Sequence, residues 1–283
     1  MVRYIGGKYR MAEWISSYIP NNIETYVEVF GGAYWTYLNS DVYSRPALEN
    51  IIYNDYNRYM VNLFECCRTP QEFYDHMSGV KSQIEELYDE FKEEIFVTQD
   101  ISQITLGDFD FAMKYAYIIT QGWSGHNPEK QKFIDLRGKY ESLFEAFRKR
   151  LRKPSYIRKL KMIDVCENLN YSDVIEKYDS STTFFYCDPP YWQREDFYSL
   201  HEFDRDDHEK LCKQLKGIEG YFALSYYDFE LLNKWLPEEE YNWQRKGFVV
   251  SAGAAENVKQ RTSEELLIMN YNIGDYNLGR FFT

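Results

Sequence analysis

The sequence predicts an α/β protein with a mostly parallel sheet that is interrupted by a helical insert. Three observations carry this reading. Short β-prone runs alternate with helical patterns at both ends of the chain, the long middle stretch holds helical patterns with few strand runs, and a glycine pair follows the first β-prone run directly. Parallel strands need crossover helices, so this alternation is the signature of βαβ units.

Taken in chain order, Tyr26 to Phe30 is the first β-prone run, and Gly31-Gly32 stops it. Residues Ala33 to Leu38 read as helix, and Asn50 to Asp55 as the second strand. From Leu63 to about Met162 the character changes: Pro70 is followed by amphipathic, charge-rich segments at Ile84 to Phe96 and Phe109 to Thr120. The acidic run Glu85 to Glu94 reads as a solvated helix face. We therefore expect a helical insert over 63–162 within a sheet domain built from 1–62 and 163–283. Strands return at Thr183 to Cys187, Gly220 to Ser225 and Glu265 to Met269, with a helix pattern at His208 to Leu215 between the first two.

Composition narrows the function. With 33 Lys and Arg against 45 Asp and Glu, the formal net charge is -12. That excludes a protein that coats nucleic acid indiscriminately, because such binding needs a general positive surface. A nucleic-acid partner must instead meet a local basic patch, and one is present. Residues 130–161 hold 12 Lys or Arg against three acids, a local +9 that leaves -21 on the other 251 residues. Aromatics make up 18% of the chain, including 27 Tyr, a surplus that suits either stacking surfaces or an aromatic core. The five cysteines are odd in number and lack C-x-x-C spacing, which argues for reduced thiols and against a zinc site. His76, His126, His201 and His208 lie apart in sequence, so no metal is expected. No apolar run approaches the ~18 residues of a membrane span, and the expectation is a soluble, cytoplasmic protein.

The strongest chemical signal is Asp188-Pro189-Pro190-Tyr191, immediately after the apolar run Phe184 to Cys187. Ligands of open α/β sheets bind at the carboxyl ends of strands, where this tetrapeptide falls. Its chemistry suits one task. The lone pair of a nucleobase amino group is delocalised into the ring, so the nitrogen is a poor nucleophile. A carboxylate and a carbonyl that accept its two N–H bonds draw the nitrogen toward tetrahedral geometry and localise that pair. Asp188 offers the carboxylate, and Pro189 a carbonyl stiffened by the fixed φ of Pro190. Tyr191 supplies a ring on which a base stacks.

Three further features point to a nucleotide-like cofactor. Gly31-Gly32 lets the backbone approach a ligand at the end of the first strand. Asp55 lies 24 residues beyond Gly31, close to the ~20-residue spacing of an acid that takes ribose hydroxyls, with helix N-capping as the competing role. Near the N-terminus, Gly6-Gly7 permits close backbone approach beside Lys8, a cation suited to a carboxylate.

Together and in this order, Tyr4-Ile5-Gly6-Gly7-Lys8, Phe30-Gly31-Gly32 and Asp188-Pro189-Pro190-Tyr191 resemble the Dam-type DNA adenine methyltransferases, whose hallmark is a DPPY motif. The resemblance runs to Glu265-Leu266-Leu267-Ile268-Met269-Asn270-Tyr271, nearly the whole chain, and is loosest in the helical stretch. It implies a Rossmann-like methyltransferase sheet whose insert is a target-recognition subdomain. The implied reaction moves a methyl group from S-adenosylmethionine to the amino nitrogen of an adenine flipped from double-stranded DNA. Tyr4, Gly7, Lys8, Glu28, Phe30, Gly31, Gly32, Asp55, Asn170, Tyr171 and Asp188 would then face the cofactor. Asp188, Pro189, Pro190 and Tyr191 would hold the base. Where the family usually has one more glycine, this chain has Tyr34. The resemblance also implies DNA contacts from the middle region. Trp123, Ser124, His126 and Asn127 would read or fill the stack, while Lys130, Arg137, Arg148, Arg152 and Lys153 would face phosphates. No metal is needed, since transfer from a sulfonium requires mainly alignment. A restriction endonuclease partner in the same system is compatible with the resemblance. Two alternatives share part of the pattern. One is an amino-methyltransferase of RNA, cytosine or glutamine, against which Asp rather than Asn at position 188 argues. The other is a catalytically weak or inactive DNA-binding subunit, motivated by Tyr34 and the acidic surface.

Overall fold

The computed structural model describes residues 7–98, 100–122, 128–135, 142–193, 203–250 and 261–273. Tyr4, Trp123, Ser124, His126, Asn127 and Arg137 lie outside the described residues.

Seven described strands form one sheet: β1 (Thr25–Glu28), β2 (Asn50–Asn54), β3 (Val165–Glu167), β4 (Thr183–Cys187), β5 (Tyr221–Tyr226), β6 (Asn242–Val250) and β7 (Arg261–Met269). Their order is β3-β2-β1-β4-β5-β7-β6. The first five pair in parallel, and β7 runs antiparallel between β5 and β6. Because β1 is flanked by β2 on one side and β4 on the other, the strand order reverses there, and the carboxyl ends of β1 and β4 form the topological switch point. Every residue of β4 is buried, as expected of a strand covered on both faces. Strands β3 and β6 are absent from the sequence reading. The first has only three residues, and the second opens with Asn242-Trp243-Gln244-Arg245-Lys246, polar except for Trp243, on a sheet edge, where an apolar pattern is not required.

Strand alternation sends side chains to two apolar clusters. Val27, Val29, Phe185, Cys187, Phe222 and Leu224 pack on one face with α9 (Tyr171–Tyr178) and α10 (Arg205–Lys216). Tyr26, Tyr53, Phe184, Tyr186, Leu267 and Met269 face the other side. That second cluster continues without a break into the helices between β2 and β3: α3 (Arg58–Cys67), α4 (Pro70–His76), α5 (Glu85–Glu93), α6 (Phe109–Gln121), α7 (Leu143–Leu151) and α8 (Pro154–Lys161), following the short α1 (Ala12–Ser16) and α2 (Trp35–Leu38). The expected boundary at residue 63 falls inside α3. That helix starts at Arg58, where the Asn57 side chain accepts from the Tyr59 N–H. Much of the aromatic surplus fills this core, where Tyr26, Tyr34, Tyr37, Tyr53, Tyr88, Tyr115 and Tyr117 are fully buried, while Tyr226 is fully buried in the first cluster. All five cysteines are buried with free thiols. Among the described residues no helix is long and apolar enough to cross a membrane.

Candidate active site

At the end of β1 the chain folds back onto β2. The Gly31 N–H donates to the Asn54 carbonyl at 2.7 Å. A Cβ at Gly31 would lie 2.3 Å from the Tyr53 ring and 2.8 Å from that carbonyl, so only glycine fits. Gly32 takes a positive φ of 46° and donates its N–H to Asp55 Oδ2 at 2.7 Å. The other oxygen, Oδ1, accepts from the Asn57 N–H at 2.7 Å. Asp55 thus ties the glycine loop to the end of β2, and the α3 cap is Asn57, not Asp55. Burial pushes the Asp55 carboxyl up to about 6, against the pull of these two hydrogen bonds.

Tyr34 stands where a further glycine was expected, and it adopts the left-handed conformation for which glycine is normally chosen, φ 56° and ψ 33°. Its ring turns into the core, 4.8 Å from Tyr37 and 4.9 Å from Tyr53 between centroids, not toward the loop. Helix α2 consequently begins at Trp35, two residues later than the pattern suggested.

Asp188 follows β4 at the switch point, with its side chain 19% exposed. Lys8, carried on the N-terminal segment, donates to Asp188 Oδ1 at 2.7 Å and Oδ2 at 2.9 Å, and also to the Tyr191 hydroxyl oxygen. Tyr191 carries one hydroxyl proton. Glu265 Oε1 at 2.7 Å is a better acceptor for it than Asp188 Oδ1 at 3.2 Å. Glu265 is also 3.5 Å from the Lys8 ammonium. One cation therefore serves two carboxylates in a site where Lys8 and Glu265 are 6% and 3% exposed. Burial alone would lower the Lys8 pKa, but Asp188 and Glu265 outweigh it and hold the ammonium well above its ordinary range. Burial raises both carboxyls, and Lys8 opposes the rise at each. Burial, reinforced by the two carboxylates, keeps Tyr191 a neutral phenol.

Next to this cluster, Phe30 stacks on Tyr171 with centroids 5.9 Å apart, and Phe203 meets both rings edge-on. Tyr171 also donates its hydroxyl to Asp207 at 3.2 Å. Asn170 is the N-cap of α9, its side chain accepting from the Ser172 N–H. Beyond β5, the exposed ring of Tyr227 comes within 4.4 Å of the Tyr191 centroid.

Two of the expected site residues have their side chains engaged elsewhere among the described residues. Glu28 was expected to face the cofactor, yet its carboxylate is 2% exposed and accepts from the Tyr26 hydroxyl at 2.9 Å and the Tyr37 N–H at 3.1 Å. It shares the strand face of Tyr26, and its acceptor capacity goes to the core. Arg148 was expected at DNA. Its guanidinium instead donates to the Val80 and Ser78 carbonyls, pairs with Glu145 and packs on Tyr74, which binds α7 to the turn after α4. Within the same basic strip, the buried Lys159 donates to the Leu38 and Ser40 carbonyls. Lys130, Arg152 and Lys153 remain exposed. Arg150 lies over the Trp35 ring, whose plane also meets Tyr9, the residue after Lys8, so this end of the strip adjoins the site. Among the histidines, His208 is fully buried against Tyr226. Among the described residues no cluster of three His, Cys, Asp or Glu has a metal-holding arrangement.

Sequence reasoning missed Glu265. The run Glu264-Glu265-Leu266-Leu267 offers no alternation that separates the inward acid from the outward one.

A mostly parallel sheet with a glycine loop, an acid after the second strand and the Asp188-Pro189-Pro190-Tyr191 segment at the ends of its central strands is consistent with a Rossmann-like methyltransferase fold. More narrowly, residues 4–248 match the family model of the D12 class N6 adenine-specific DNA methyltransferases, and the chain belongs to that family. It is 24% identical over 309 residues to the modification methylase StsI of Streptococcus sanguinis, covering 98% of this chain and 43% of that protein. It is likewise 24% identical over 302 residues to the type II methyltransferase M.FokI of Planomicrobium okeanokoites, covering 95% and 42%. The chain thus spans less than half the length of the curated relatives it matches.

Proposed function

We propose that this chain is a site-specific DNA methyltransferase that moves a methyl group from S-adenosylmethionine to the exocyclic amino nitrogen of an adenine flipped from double-stranded DNA. The observation that carries the reading is the placement of Asp188 and Tyr191 at the switch point, beside the glycine loop and Lys8.

The residues present suit the cofactor. Phe30 and Tyr171 offer stacked rings beside an adenine, Asp55 a carboxylate for ribose hydroxyls, Gly31 and Gly32 close backbone approach, and Lys8 a cation for the methionine carboxylate. When bound, S-adenosylmethionine supplies an electrophilic methyl group on a sulfonium. Asp188 accepts one amino N–H of the base, the Pro189 carbonyl accepts the other, and Tyr191 presents its ring. With S-adenosylmethionine bound, Lys8 would be the residue to hold its carboxylate, which would leave Asp188 available to the base.

The helical region, residues 63–162, serves as the target-recognition part. Trp123, Ser124, His126 and Asn127 approach the bases, and Lys130, Arg137, Arg152 and Lys153 approach phosphates. Extruding a base costs a few kcal/mol, which side chains filling the gap help to offset. A role in the cytoplasm beside a restriction endonuclease fits a chain related to a modification methylase. The test is methylation of DNA with labelled cofactor, followed by digestion to nucleosides. Wild type should yield N6-methyladenine and Asp188→Ala none, with the variant still folded. Label transferred equally by Asp188→Ala would refute the assignment.

A further inference from the structure

We propose that Glu265 is a positioning residue of this site, acting through the Tyr191 hydroxyl to hold the ring against which the target base is placed. This rests on the adenine-site reading above and goes beyond it, since that reading gives Glu265 no role.

Position 265 is an expensive place for an acid. Along β7 its neighbours on the same strand face, Leu267 and Met269, are fully buried and apolar, and Glu265 itself is 2% exposed. A carboxylate there loses its hydration, and an apolar residue would serve packing better. The carboxylate is kept where antiparallel β7 enters the sheet opposite the carboxyl end of β5, with Leu266 paired to Tyr226. That position lets Oε1 accept the Tyr191 proton at 2.7 Å while standing 3.5 Å from Lys8.

The consequence for the ring is geometric. A tyrosine after two prolines has a restrained backbone, but its ring still turns about χ1 and χ2. Anchoring the hydroxyl at the far end of the side chain removes that freedom. The same hydrogen bond draws the Tyr191 proton away from Asp188, leaving the Asp188 oxygens to Lys8 and to incoming N–H donors. Glu265 touches neither substrate nor cofactor in this scheme, so it positions and does not react.

The experiment compares wild type with Glu265→Leu, Glu265→Gln, Tyr191→Phe and the Glu265→Leu/Tyr191→Phe double variant. Single-turnover methylation and cofactor affinity by calorimetry are both read. Glu265→Leu leaves a neutral Lys8–Asp188 pair, so the variant should fold, and its melting curve checks this. Its single-turnover rate should drop by about 10- to 100-fold, the scale of a misplaced reacting group, with cofactor affinity within about threefold of wild type. Glu265→Gln keeps an acceptor for the Tyr191 hydroxyl and should recover most of the rate. The double variant should be no slower than the slower single variant, because both remove one interaction. A Glu265→Leu rate within about threefold of wild type, losses that multiply in the double variant, or a Gln variant as slow as Leu overturns the inference. Wild type methylating DNA in that same series leaves the adenine reading standing. A wild type that methylates no DNA refutes both.

Discussion

Replacing Lys8 with Met tests the charge balance of the site without relying on any assay of activity. The side chain is similar in length but lacks the ammonium, leaving Asp188 and Glu265 in one pocket with no cation between them. Removing one partner of a buried ion pair costs about 3–5 kcal/mol. Asp188 is 19% exposed, which places the expected loss near the lower end, about 3 kcal/mol at pH 8. The loss should depend on pH in a defined sense. Both carboxyls already have raised pKa values in the folded protein. An acid raised on folding favours the folded state when protonated, so its contribution falls as pH climbs from the ordinary carboxyl range through the folded value. Without Lys8 both values rise further, and the gap between wild type and variant should widen from about pH 5 to about pH 8. Urea denaturation across that range measures it. Adding Glu265→Gln to Lys8→Met removes one of the two competing charges and should restore at least about 1 kcal/mol at the upper pH. A gap below about 1 kcal/mol that stays flat from pH 5 to 8 would refute this account of the cluster.

Two other expectations concern the loop and its support. Among the described residues the buried Tyr34 hydroxyl has no hydrogen-bond partner, so Tyr34→Phe should raise stability by about 1 kcal/mol in thermal or urea melts. A loss of that size would mean the hydroxyl has a partner after all. Asp55 should weaken the fold as pH rises from its unfolded value of 3.8 to about 6, by up to about 3 kcal/mol for a shift of this size. The stability of wild type relative to Asp55→Asn should therefore decline over that window, and an unchanged difference would show that the Asp55 carboxyl is not raised.

Much of the sheet could be read from local pattern. The residues Thr183–Cys187 match β4 as predicted, and Asp188 follows at once, because a run buried on both faces must be apolar throughout and must end where the chain turns. The glycine pair after β1 was likewise visible, although the collision of a Gly31 Cβ with Tyr53 is a contact between neighbouring strands. The basic strip was counted correctly as charge, yet charge alone did not say which cations donate to backbone carbonyls. Arg148 and Lys159 spend their donors on backbone carbonyls, and nothing in the spacing of the strip distinguishes them from Arg152 or Lys153. Glu28 illustrates the same limit. Alternation places it on the face of Tyr26, but which face of the sheet becomes core and which becomes site depends on the elements packed against it.

The sequence by itself determined the βαβ order, the turn chemistry at Gly31-Gly32 and the position of the Asp-Pro-Pro-Tyr segment after β4, because each depends on residues that are neighbours in the chain. The tertiary structure alone decided how the pocket is charged. Lys8 and Asp188 are 180 residues apart, and Tyr191 and Glu265 are 74 apart. Their interactions depend on distances of a few ångströms and on exclusion of water. Only the closing of β4, β5 and antiparallel β7 into one sheet, with the N-terminal segment laid beside it, creates both.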